Sequence, residues 1–209
     1  MTAVIPAGQV RHIEPVDLVG RRWRLGALLL IFADVSFVVS MVFAYFYLRG
    51  LNTQGGWLPK GVTSAPIWIG WAIAAGTVLS ALAYRRGLAG IETGDNKLLV
   101  RGSGLAVLVL VVVAVGQLVQ LANFPFKVDK SSYASATYLL GAANFFHLLL
   151  TLFLGVGIWN RGRLTKYSAT DNWQVRIVGM WWTWIAIAAI IGAFTTSLIA
   201  SPHILVGNG

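Results

Sequence analysis

A run of 24 residues, Leu25 to Leu48, contains one formal charge, Asp34, and is otherwise uncharged and mostly apolar. A helix rises about 1.5 Å per residue, so the run is roughly 36 Å long and can cross a bilayer with some tilt. Asp34 lies nine residues in from Leu25, which places it about 13 Å past the start of the apolar helix. An ionisable group at that depth costs at least ~2.5–3.5 kcal/mol on insertion scales, so it requires a partner, a cavity or a proton. The default reading of such a residue is functional.

The rest of the chain repeats the pattern. Of 209 residues, 57% are hydrophobic and 11% charged, against about 25% charged in a soluble globular protein. The net charge of +9 sits on basic residues that flank apolar runs. They read as topology signals and lipid-headgroup contacts, and nucleic acid is not expected as a partner. There is no cysteine, which removes disulfides, thiolate metal sites and haem attachment motifs. The first apolar run is too long for a signal-peptide core and lacks a small-residue cleavage site, so it is expected to stay as a signal anchor.

Five segments pass the length test for spanning helices, roughly 25–48, 66–84, 103–124, 136–159 and 174–200. The expected fold class is all-α: a polytopic bundle of five transmembrane helices, with a cytoplasmic segment 1–24 and one membrane domain 25–209. The connectors carry the turn formers, as in Asn52 to Pro59 and Gly87 to Asn96. No internal repeat is apparent, which weakens an inverted-repeat transporter reading. Of the 16 Lys and Arg, twelve fall on the side of the N-terminus. Four are in the N-terminal segment, four in the second connector, and four in the fourth connector with the start of span five. The other side holds Arg49, Lys60, Lys127 and Lys130. The positive-inside rule then predicts a cytoplasmic N-terminus and an outside C-terminus.

Small residues recur every four positions on three spans: Ser36, Ser40 and Ala44; Ala72, Gly76 and Ser80; Ala188, Gly192, Thr196 and Ala200. Such stripes let helices approach closely, so Ser36, Ser40, Gly76, Ser80 and Gly192 are expected packing positions. Trp57, Trp68, Trp71, Trp159, Trp173, Trp181, Trp182 and Trp184 mostly fall near span ends and read as interfacial anchors. The cluster in span five also suits a lipid-facing or partner-facing surface.

Only one of the three histidines, His147, lies well inside a span. A bis-histidine haem needs two ligands and a tri-histidine copper site three, so neither is expected here. No P-loop, zincin, nucleophile-elbow or dinucleotide fingerprint is present. No catalytic residue and no metal ligand is assigned. Asn144, His147 and Thr151 share one face of span four, either as a polar relay or a contact across to another helix, or with a neutral histidine satisfied by a neighbouring hydroxyl or carbonyl. Gln117, Gln120 and Asn123 form a polar stripe near the end of span three, expected to hydrogen-bond across helices. Asp34 shares a face with Met41 and Tyr45 and has no basic residue within one turn of its own helix. Two readings of it stand together: a neutral carboxyl hydrogen-bonded to another helix, and a proton-handling or coupling group.

These same residues carry a family resemblance. LLIFADVSFVVSMVFAYFYLRG resembles the first shared helix of haem-copper oxidase subunit III, with Asp34 at the family's intramembrane carboxylate. GQLVQLANF resembles the pattern in which Gln is followed three residues later by Glu and an aromatic; Gln120 and Phe124 match, and Asn123 replaces the acid. NFFHLLLTLFL resembles the family's two-histidine stretch, with His147 at the second histidine and Asn144 at the first. Span five, MWWTWIA, departs most, with Trp182 at the family's histidine. Span count, length and motif order resemble the five-helix bacterial form.

The resemblance implies a non-redox accessory subunit of a cytochrome c oxidase complex in aerobic respiration, residing in a bacterial cytoplasmic membrane. It implies packing on catalytic subunit I, and on subunit II, with haem and copper in the partner and none on this chain. It also implies phospholipid between helices and support of proton uptake and oxygen access. The alternatives are a similar component of a quinol oxidase or nitric oxide reductase, and a small proton-coupled transporter using Asp34 and His147 as relay groups.

Overall fold

The computed structural model describes residues 15–52, 56–58 and 60–199. Ala200, His12, His203 and the remainder of segment 1–14 lie outside the described residues. The described chain forms five helices: α1 (Val16–Leu51), α2 (Ile67–Glu92), α3 (Asn96–Ala122), α4 (Ser132–Arg163) and α5 (Trp173–Thr196). Each is long and apolar enough to cross a membrane, so the chain is a multi-pass, all-helical membrane protein, as its five apolar runs predict.

The helices outrun most of the apolar spans. Nothing in Arg21 to Arg24 stops a helix: Arg is a strong helix former and the stretch holds no Gly or Pro. α1 therefore starts directly after Pro15, and residues 16–24 form its first turns. At 36 residues it is roughly 54 Å long. α2 likewise continues to Glu92, through half of the stretch expected as a connector. The true turn is Thr93–Asp95. Gly94 takes φ +85, a left-handed conformation that only glycine adopts freely. Asp95 Oδ1 accepts the Leu98 amide at 3.0 Å and caps α3. Ser131 caps α4 in the same way through the Ala134 amide.

α2 packs on α3 and α5, α3 on α4, and α4 on α5, while α1 touches only α4 and α5. The tightest crossing is between Gly87 and Gly102: a Cβ on Gly102 would stand 2.6 Å from the Gly87 backbone. Gly76 behaves as its stripe predicts, with a Cβ there reaching 2.5 Å from Val113. Ser80 is fully buried and donates to the Ala106 carbonyl across to α3 at 2.8 Å.

Other stripe positions differ from expectation. Ser36 and Ser40 are exposed and turn their hydroxyls back onto Phe32 and Ser36 carbonyls of their own helix. Ala72 is exposed as well. Gly192 meets nothing within 4 Å of a built Cβ, so no helix crosses it closely. Spacing alone identifies a smooth face but not whether another helix covers it.

Trp57 and Leu58, between α1 and α2, pack against the bundle. Trp57 is fully buried, with its ring centroid 4.9 Å from Tyr45 and 5.6 Å from Tyr133. Phe126 continues the cluster. Trp57 is thus an inner cap on the bundle end and not an interfacial anchor.

Candidate functional site

The buried face of α1 consists of Val38, Met41 and Tyr45, and Asp34 lies on the same line one turn earlier. This face meets α4 and α5, which brings Asp34 against His147. His147 Nε2 lies 2.9 Å from Asp34 Oδ1. Trp184 Nε1 on α5 donates to Asp34 Oδ2 at 2.6 Å. The side chains are 4% exposed for His147 and 14% for Asp34. One proton shared between the carboxyl and the imidazole satisfies both atoms. Pairing of this kind offsets the cost of placing ionisable groups in the membrane interior.

Further bonds surround the pair. Thr151 donates to the His147 carbonyl at 2.7 Å, and Trp181 Nε1 donates to Thr151 Oγ1 at 3.0 Å. Phe37 and Trp181 stand edge-on to the imidazole ring. His147 is thus satisfied by a carboxyl on another helix, whereas a hydroxyl or carbonyl was the simpler expectation. Tyr45 is buried but belongs to the aromatic cap; its hydroxyl points to the Leu198 carbonyl at 3.5 Å. Asp34 and Tyr45 share a face without sharing a contact, since 11 residues separate them by about 16 Å along the helix.

The amides form a second cluster. Asn144 Nδ2 donates to Gln117 Oε1 at 2.7 Å, and Gln117 Nε2 donates to Gln120 Oε1 at 2.8 Å. This links α4 to α3. Asn123 takes no part, because it follows the last residue of α3 and donates to the Val119 carbonyl of its own helix.

Sequence reasoning missed the tryptophan donors. Trp181 and Trp182 are buried, and Trp182 Nε1 donates to Ser80 Oγ at 3.0 Å. With Trp184 on Asp34, three indoles of α5 face inward, not toward lipid. Their depth was the available signal: Trp181 lies eight residues into α5, about 12 Å, too deep for an interfacial anchor. Trp68, at 71% exposed, keeps the anchor reading.

A basic cleft of about 600 Å³ opens between the start of α1 and the end of α2, where Arg21, Arg24, Arg85 and Arg176 converge over Leu88, Ile177 and Met180. Arg21 pairs with Asp17 and Arg176 with Glu92. Among the described residues, no group of three His, Cys, Asp or Glu is placed to hold a metal ion.

Fold and site together define a five-helix membrane protein with a carboxyl–imidazole pair bridging α1 and α4 inside the bundle. No protein-family model matches the chain, and no curated protein matches it.

Proposed function

We propose that this chain is a non-redox accessory subunit of a haem-copper terminal oxidase, of the subunit III kind. The observation that carries the proposal is the 2.9 Å contact between Asp34 and His147. These are the residues at which two separate segments resemble that family, and they meet across two helices. Gln120 and Asn144, at two further resembling positions, join through Gln117.

A partner subunit fits the uneven cover of α1. Only Val38, Met41 and Tyr45 of that helix are buried. Its remaining sides expose Phe32, Val39 and Phe43 beside the Ser36 and Ser40 stripe, a surface suited to helices of catalytic subunit I or of subunit II. Haem and copper reside in that partner. The basic cleft, with an apolar floor, supports phospholipid binding. The excess of Lys and Arg at the end bearing the α1 N-terminus supports a cytoplasmic N-terminus in a bacterial inner membrane. Within the complex, the Asp34–His147 pair serves as a proton-handling or coupling contact.

A membrane preparation from a strain lacking the chain provides the test. Oxidase haem should be retained while sustained oxygen consumption falls and recovers on complementation. Oxygen consumption that is unchanged through prolonged turnover removes the proposal. The buried acid–imidazole pair also suits a proton-coupled transporter, and activity of the isolated chain in liposomes would favour that second reading.

A further inference from the structure

Two small cavities lie in series between the Asp34–His147 pair and one end of the bundle. The outer cavity, about 50 Å³, takes in Gln117, Gln120 and Asn144 and is rimmed by Pro66, Phe124 and Thr196. These rim residues mark the end where α2 begins and α3 and α5 finish. The inner cavity, about 20 Å³, is walled by Val38, Met41 and Ala188 and reaches His147. The two share Leu140, Asn144 and Gly192 as a common wall.

A cavity holds water when it offers roughly 10–15 Å³ and two to four polar partners. Both volumes meet the first condition. The outer cavity meets the second through its three amides and the buried Thr137 hydroxyl. The inner one has Asn144 and His147 on its wall. Gly192 now has a physical role. No neighbour stands within 4 Å of a Cβ built there, so packing does not demand glycine, and a side chain at this shared wall would project into open space.

On the opposite side of the pair, apolar and already bonded groups crowd the imidazole. Leu148 is fully buried, the Thr151 hydroxyl is engaged with the His147 carbonyl and Trp181, and Phe37 and Trp181 stand against the imidazole. We infer that the Asp34–His147 pair exchanges protons with one aqueous phase only, through a short chain of bound water entering from the end where α2 begins. Hydronium delivers a proton to the pair and leaves as water, and release is the reverse. The inference does not depend on which partner the chain serves.

The absence of cysteine permits a direct test with silver ion, a water-sized thiol probe. Thr137→Cys reports the outer cavity and Ala188→Cys the inner. Val38→Cys, on the same inner wall, substitutes if Ala188→Cys fails to assemble. A loop marker, Val128→Cys, identifies the side of sealed vesicles that faces a membrane-impermeant reagent. Silver applied on the marker side should block later modification of both cavity cysteines, and silver on the other side should block neither. Adding Gly192→Val should abolish protection of the inner cysteine and leave the outer one protected; Gly192→Ala provides a milder plug. Protection from the other side, from both sides or from neither overturns the inference, as does inner protection that survives both plugs.

Discussion

Asp34 on α1 and His147 on α4 stand 113 residues apart in sequence and 2.9 Å apart in space. Their pairing ties the least buried helix of the bundle to its core. α1 contacts only α4 and α5, and both contribute a hydrogen-bonding side chain to the Asp34 carboxyl. The polar contact therefore both satisfies a group that the bilayer would otherwise penalise and fixes how α1 docks.

That coupling is measurable by a double-mutant cycle. Asp34→Leu, His147→Leu and the double variant should show an interaction energy of about 1–2 kcal/mol, between the usual interhelical hydrogen bond and a fully buried ion pair. Asp34→Asn should lose less than Asp34→Leu, because the amide oxygen still accepts from Trp184. Additive losses in unfolding from detergent micelles would remove the coupling.

Trp182 joins α5 to α2 through Ser80 and occupies space beside Gly155, where an added Cβ would stand 2.7 Å from its ring. Trp182→Phe should cost about 1 kcal/mol for the hydrogen bond, and Trp182→Ala about 3–5 kcal/mol for the cavity. Gly155→Ala should also destabilise. Thermal unfolding of the purified chain ranks the three.

The glycines separate by surroundings. Gly102→Ala pushes a methyl into the Gly87 backbone and should cost about 1–3 kcal/mol. Gly192→Ala enters open space and should be neutral or stabilising by up to about 1 kcal/mol, since alanine favours the helix. Equal effects at the two sites would contradict the packing described.

Thr165 ends the turn after α4 with φ 51, a left-handed conformation that a β-branched residue adopts only under strain. Thr165→Gly should raise stability by about 1 kcal/mol. A lowered melting temperature would show that the Thr165 side chain contributes more than its backbone costs.

Helix number and approximate placement were legible because apolar length is a one-dimensional property. Boundaries were less so: Arg21 to Arg24 and Gly87 to Glu92 leave the apolar span but remain helical, since charge marks the membrane edge and not the helix end. At the site, Asp34 and His147 each stood out as isolated ionisable groups in apolar runs, yet their partnership required knowing that α1 docks on α4. Trp184 was invisible as a donor because an indole suits lipid, headgroup and carboxyl alike. Ser40 and Ser80 look the same in spacing, and only the neighbouring helix tells exposed from buried.

We propose that this chain serves a haem-bearing oxidase. Purification of the tagged chain from its native membrane in mild detergent, followed by a reduced-minus-oxidised visible spectrum of the eluate, tests it most directly. Haem bands together with a many-spanning partner on the gel are the expected result. A colourless eluate containing this chain alone, from membranes whose oxidase stays assembled in that detergent, would contradict it.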